Sequence, residues 1–123
     1  MSNGNTGVVA IIDDDGDVAD VLGGLLEIVG YEVETYRSAN QFIAGIDPDK
    51  LACIVVDQNM PDMTGLEMLT QLDNEGVNIP SLLITGASDE AIVRQATELG
   101  VMKVLQKPMS HHELLRYIEA SMQ

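Results

Sequence analysis

The chain has 123 residues, with six Lys and Arg against twenty Asp and Glu, a formal net charge of −14 with both histidines neutral. At about 150 residues per domain this is one domain, and 46% hydrophobic against 21% charged residues supports an aliphatic core and excludes a disordered acidic tail. A pI near 4.1 argues against direct nucleic-acid or anionic-membrane binding, and no run approaches the roughly 20 apolar residues of a membrane helix.

The segment Met1–Gly7 has neither basic residues nor an apolar run, so it reads as a short disordered lead rather than a targeting signal. The expected organisation is a disordered segment over 1–7 and one domain over 8–123, in a soluble, unexported, cytoplasmic chain. No output domain is expected within these residues, and whether an effector follows residue 123 in a longer parent is left open.

Aliphatic runs predict strands at Val8–Ile12, Tyr31–Tyr36, Ala52–Val56, Ser81–Ile84 and Val101–Leu105. After the first, Val18, Val21, Leu22, Leu25, Leu26 and Val29 fall at i, i+3, i+4, i+7, i+8 and i+11, one apolar stripe of a helix. Gly23 and Gly24 interrupt that helix against propensity, with close packing as the one available reason. Later segments repeat the helical spacing with Leu66, Leu69 and Leu72, then Ile92, Ala96 and Leu99, then Leu114, Leu115, Ile118 and Met122. Ser38/Gln41, Thr64/Glu67 and Ser110/Glu113 have capping-box spacing, and Gly30, Gly76 and Gly100 follow helical stretches as stop signals. The pattern is βα repeated five times, and continuous rather than alternating apolar strands imply a parallel sheet covered on both faces. The expected fold is α/β: a five-stranded parallel sheet, doubly wound as (βα)5.

In such a sheet ligands bind beyond the carboxyl ends of the strands. There the first strand leads into Asp13, Asp14 and Asp15, the third into Asp57, the fourth into Thr85 and the fifth into Lys107 and Pro108. Carboxylates converging on one edge repel unless a cation intervenes, and oxygen ligands favour magnesium over zinc. Lys107 adds a fixed positive charge and Thr85 a hydroxyl donor, which together make the parts of a phosphoryl-transfer site. Asp57, alone on a central strand, is the candidate nucleophile that forms an acyl phosphate. Taken singly, Asp13–Asp17 also fits a solvated loop and helix start, and Lys107 a surface lysine.

Together these residues carry a resemblance. IIDDD with Asp13 and Asp14, DQNMPDMTG over Asp57–Gly65, Thr85 in LLITG, and Lys107-Pro108 resemble the receiver domain of two-component response regulators, from Val8 to the C-terminus. The resemblance implies a flavodoxin-like sheet with strand order 2-1-3-4-5, and it implies that Asp57 accepts a phosphoryl group from the phosphohistidine of a sensor histidine kinase or histidine phosphotransfer protein. It implies Mg2+ held by Asp14 directly, by Asp13 directly or through water, by Asp57, and by the backbone carbonyl of Asn59. Thr85 would bind a phosphoryl oxygen and move on activation, Lys107 would pair with Asp57 or its phosphate, and the Lys107-Pro108 peptide would be cis. Such a domain promotes only its own phosphorylation and dephosphorylation and is a phosphorelay component, not an enzyme; its kinase and output partner are unspecified.

Two positions depart from the family pattern. Val104 stands where an aromatic often sits three residues before the lysine, and Met109 where Phe is common. Without that aromatic, signalling rests on Thr85 and on the fourth helix and fifth strand, or passes back through the kinase. A haloacid-dehalogenase-type phosphatase is the enzymatic alternative, but its second Asp would stand where Asn59 does. A flavodoxin-like cofactor binder needs a phosphate cradle after strand one, where Asp13–Asp17 repels phosphate. A receiver fold that takes no phosphate and acts as a constitutive binding module is a further alternative.

Cys53, the single cysteine, lies in an apolar run and reads as a buried inert thiol. His111 and His112 are adjacent on a helix and so face apart, which fits exposed polar residues and not a shared metal. Met60, Met63 and Met68 read as core or rim packing.

Overall fold

The computed structural model describes residues 7–87 and 89–122; residues 1–6 of the expected disordered segment lie outside the described residues. In chain order the elements are β1 (Val8–Ile12), α1 (Gly16–Ile28), β2 (Glu32–Tyr36), α2 (Ala39–Gly45), a 3-10 turn (Pro48–Lys50), β3 (Leu51–Asp57), α3 (Gly65–Asn74), β4 (Ser81–Thr85), α4 (Glu90–Glu98), β5 (Lys103–Gln106) and α5 (His111–Ser121). All strand pairs are parallel and the order is β2-β1-β3-β4-β5. This is the expected doubly wound fold.

Alternate residues of the central strands feed two cores. Val9, Ile11, Cys53, Val55, Leu82 and Ile84 pack with Leu22 and Leu26 of α1 and Leu114 and Ile118 of α5. Ala10, Ile12, Ile54, Val56 and Leu83 face Phe42 of α2, Leu66, Met68, Leu69 and Leu72 of α3, and Ala96 of α4. Each fully buried Leu, Ile or Phe contributes about 1.5–3 kcal/mol of transfer free energy, so β1, β3 and β4, buried along nearly their whole length, anchor the fold. Burial on both faces does not extend to the sheet edges: β2 and β5 are only partly buried and carry exposed Glu32, Glu34, Lys103 and Gln106.

The α1 stripe is also a correction. Its buried face is Ala19, Leu22, Gly23 and Leu26, whereas Val18, Val21 and Val29 are 40%, 55% and 51% exposed and Ile28 is 82% exposed. An i, i+3, i+4 apolar pattern fixes the helical period, but with apolar residues on more than one side it does not fix which edge meets the sheet.

The caps form as read, with differences in detail. Thr64 and Glu67 close a reciprocal capping box on α3. Ser38 accepts from the Gln41 amide, but the Gln41 side chain turns to the Arg37 amide. Ser110 accepts from the Glu113 amide. Gly30, Gly76 and Gly100 adopt positive φ just beyond α1, α3 and α4, a conformation a side chain would strain.

Close packing does not account for Gly23 and Gly24. A β-carbon on Gly23 would make ordinary contacts 3.5 Å from Val33 and Thr35, and one on Gly24 would meet nothing within 4 Å. Gly24→Ala is therefore expected to stabilise the chain by about 0.5–1 kcal/mol, measured by urea titration; a loss of stability would mean that this glycine has a packing role after all.

Candidate functional site

Each acid after β1 has a different position. Asp15 caps α1, accepting from the amides of Asp17 at 3.0 Å and Val18 at 3.3 Å. Asp13 donates its amide to the Tyr36 carbonyl at 3.0 Å and accepts the Asp15 amide at 2.9 Å, which turns its carboxylate inward to 5% exposure. Asp14 stays exposed. Asp57 ends β3 at 4% exposure. One oxygen from each of Asp13, Asp14 and Asp57 lies within 4.8 Å of the others, so the structure brings these three predicted residues together.

Lys107 reaches the same point, with Nζ 3.1 Å from Asp57 Oδ1. Oδ1 is buried, and apart from that ion pair it has no well-formed hydrogen bond among the described residues. Lys107 is its countercharge and the strongest lowering influence on Asp57, and the oxygen keeps capacity for a further ligand.

Burial and neighbouring charge shift the titration of all these groups. Burial raises Asp57 and outweighs the lowering by Lys107, with Asp14 adding repulsion. Burial also raises Asp13, opposed by the Asp15 amide and reinforced by Asp57. Partial burial pushes Lys107 down, but Asp57, Asp13 and Asp14 together hold its ammonium above the ordinary value. The set is short of positive charge. Oxygen-only donors, one of them orphaned, suit a hard divalent cation such as Mg2+ and offer nothing to a thiolate-seeking metal.

Strand register places the remaining residues. Asp57 pairs with Ile84, so Thr85 follows one step beyond it on the neighbouring strand. Thr85 is buried, and its hydroxyl is taken up locally, donating to the Ala87 carbonyl and accepting the Ala87 amide, both at 3.2 Å. The hydroxyl is thus at the site's edge but engaged with its own loop. The Lys107 amide donates to the Thr85 carbonyl at 2.8 Å, and the Lys107-Pro108 peptide is cis, as the resemblance implied. Asn59 is exposed two residues past Asp57, and its amide helps to lower Asp57. Val104 is half-buried against the α2–α4 core.

The loop after Asp57 is tightly held. Gln58 donates its amide to Ile84 at 2.7 Å, and its side-chain oxygen accepts the Leu66 amide at 2.9 Å. A β-carbon on Gly65 would come 2.8 Å from the Asp57 carbonyl and 2.7 Å from Leu83. Glycine is what lets α3 start against the strand end that carries Asp57.

The sequence pattern did not single out Asp62 or Arg37. Asp62 accepts the Asn40 amide at 2.8 Å, tying this loop to the first turn of α2, and that amide is the main reason its carboxyl lies low. The contact spans 22 residues, and no local signal predicts it. Arg37 follows β2 on the same sheet edge, where reading the end of every strand would have found it. Cys53 is fully buried, which pushes its thiol up to about 11 and keeps it unreactive. His111 and His112 are exposed, while Met60 and Met68 are buried and Met63 is partly so.

Comparison with known proteins agrees with this geometry. The response regulator receiver domain model matches residues 9–119. The response regulator protein TodT of Pseudomonas putida is 33% identical over 115 residues, covering 94% of this chain and 51% of that protein. The transcriptional regulatory protein FixJ of Azorhizobium caulinodans is 36% identical over 115 residues, covering 93% and 54%. The crystal structure of FixJ-N superposes with a TM-score of 0.84 at 32% identity, covering 99% of this chain and 95% of that one. The fold and site define a signalling module rather than a turnover enzyme. The chain belongs to the response regulator receiver domain family and spans about half the length of these curated relatives. Among the described residues, no helix is long and apolar enough to cross a membrane.

The raised carboxyls set a pH dependence. Because Asp13 and Asp57 lie above their ordinary 3.8, the metal-free folded chain holds more protons than the unfolded one between 3.8 and the raised values. Their contribution to stability is most favourable below 3.8 and declines as pH rises through the folded values. Mg2+ should raise the melting temperature at pH 7 and do so progressively less as pH falls through that window. Asp13→Asn should stabilise the metal-free chain at pH 7 and abolish the Mg2+ response; thermal melts with and without Mg2+ measure both. Gly65→Ala should cost about 1–3 kcal/mol from overpacking and weaken Mg2+ binding, read by urea titration and calorimetry.

Proposed function

We infer that Asp57 accepts a phosphoryl group from the phosphohistidine of a sensor histidine kinase or histidine phosphotransfer protein, in a Mg2+-dependent reaction, and that the change alters the surface bound by an output partner. The observation that carries this reading is the buried Asp57 carboxylate, ion-paired at Oδ1 with Lys107 at 3.1 Å and clustered with Asp13 and Asp14, where no further hydrogen bond among the described residues takes up that oxygen. A carboxylate poor in donors is a nucleophile that a phosphoryl group converts into a species Lys107 can hold.

Asp13, Asp14, Asp57 and the Asn59 carbonyl would hold the ion. When bound, Mg2+ supplies charge neutralisation among the carboxylates and the incoming phosphoryl oxygens. A carboxylate oxygen of Asp57 attacks phosphorus, an O–P bond forms, and the N–P bond to the donor imidazole breaks with its electron pair leaving on nitrogen. Lys107 pairs with the new phosphoryl group. Thr85, whose hydroxyl now spans Ala87, exchanges those local contacts for a phosphoryl oxygen and draws the loop after β4 inward. With Val104 in place of an aromatic, that loop and α4 carry the change. The useful energy lies in shifting two nearby conformations of one fold. A phosphohistidine donor places the chain's work in the cytoplasm.

Incubation with Mg2+ and a small acyl phosphate should add the mass of one phosphoryl group to the wild-type chain and nothing to Asp57→Asn. An unmodified wild-type chain would favour an inert binding module instead. Lys107→Ala should take the phosphoryl group yet lose the phosphorylation-induced shifts of the α4 amide resonances; full retention of those shifts would falsify the Lys107 role.

A further inference from the structure

The sheet edge holds a second cation beyond the cluster. Register pairs Ile12 with Tyr36, so Arg37 follows β2 directly across from Asp13, on strands about 4.8 Å apart. Its amide is fixed by the Gln41 side chain at 2.9 Å. Its side chain leans over the first turn of α1, where the guanidinium fills the space that a β-carbon on Gly16 would need. Gly16 is not a positive-φ glycine, so its backbone does not call for glycine. The guanidinium is the far end of a flexible, exposed side chain, so a β-carbon at Gly16 would move it aside.

Arg37 is exposed and unpaired. The Lys107–Asp57 contact is the only ion pair within 4.0 Å among the described residues, although Asp14, Asp15 and Asp17 flank Gly16 in sequence. A cation at a helix N-terminus opposes the helix dipole, and among the described residues no single acid within 4.0 Å offsets it. The charge balance shows what it can do. Three carboxylates meet one charge from Lys107 and two from a divalent ion, which leaves nothing to attract a doubly negative phosphoryl donor to a chain of net charge −14.

We propose that Arg37 is a donor-binding residue, its guanidinium fork on the Gly16 shelf recruiting doubly negative phosphoryl donors of the acyl phosphate class to Asp57. The proposal rests on Asp57 being the acceptor. In that reaction Asp57 oxygen bonds to phosphorus as the P–O bond to the acyl group breaks and the carboxylate leaves. The planar fork suits paired phosphoryl oxygens, and its charge is permanent.

Arg37→Gln, Arg37→Lys and Gly16→Ala test this with two readouts: the half-saturating acetyl phosphate concentration at saturating Mg2+, and the Mg2+ dissociation constant by calorimetry without donor. Removing the charge should move them in opposite directions, with half-saturation rising about threefold and Mg2+ binding tightening about twofold as a nearby positive charge disappears. Arg37→Lys should leave Mg2+ affinity as in the wild type and recover part of the donor effect. Gly16→Ala keeps the charge but displaces the fork, so it should raise half-saturation alone. Phosphoramidate, which carries less negative charge, should respond more weakly than acetyl phosphate. Weakening of both readouts in Arg37→Gln would mark mere structural damage and overturn the proposal, as would an unchanged half-saturation or an equal response to both donors. A wild-type chain that takes no phosphoryl group removes the Asp57 reading and this one with it, whereas normal wild-type modification with an indifferent Arg37→Gln removes this one alone.

Discussion

The structure turns on carboxylates withdrawn from water beside one another with too little positive charge to balance them. Asp13 and Asp57 are nearly buried, Asp14 stands at the rim, and Lys107 alone meets them. Lys107 does not hold Asp57 at its ordinary acidity, because burial outweighs its attraction. Like charges in a poorly solvated pocket are tolerated only when the surrounding fold fixes them, and the resulting unfavourable field makes a cation welcome there.

The rest of the domain acts as that frame. Parallel register delivers Asp13, Asp57, Thr85 and Lys107 to one edge from four strands, and main-chain bonds from Asp13 to Tyr36, Gln58 to Ile84 and Lys107 to Thr85 lock the strand ends together. Asp15 spends its carboxylate on the α1 cap, so adjacent acids divide between structure and site. Gly65 brings α3 against the Asp57 carbonyl, and Asp62 ties the same loop to α2. The strand that ends in Asp57 therefore shares its end with two helices on the same face of the sheet.

Much of this was legible in the sequence because the signals are local or periodic. Aliphatic runs separated by capped helices specify the winding, and the residues immediately beyond those runs include Asp13, Asp14, Asp57, Thr85 and Lys107. Two kinds of information were not legible. The orientation of α1 failed because valines and isoleucine lie on its outer side as well, so periodicity alone could not choose between Val18/Val21 and Ala19/Gly23. Contacts made by tertiary approach, such as Asp62 to Asn40, Gly65 against Leu83 and Arg37 over Gly16, have no spacing rule. The engagement of Thr85 with Ala87 is likewise a rotamer, which residue identity does not encode.

The outer margin of β2 carries one more consequence. Its open side presents main-chain groups to solvent next to Glu32 and Glu34, both exposed, and charges there discourage another chain from extending the sheet. That protection is electrostatic and therefore conditional: it is strong in neutral solution, where the whole molecule repels its copies, and it fades on acidification toward pI 4.1. Colloidal behaviour and signalling chemistry thus draw on the same abundance of acid, one through mutual repulsion at the surface and the other through its confinement in the pocket.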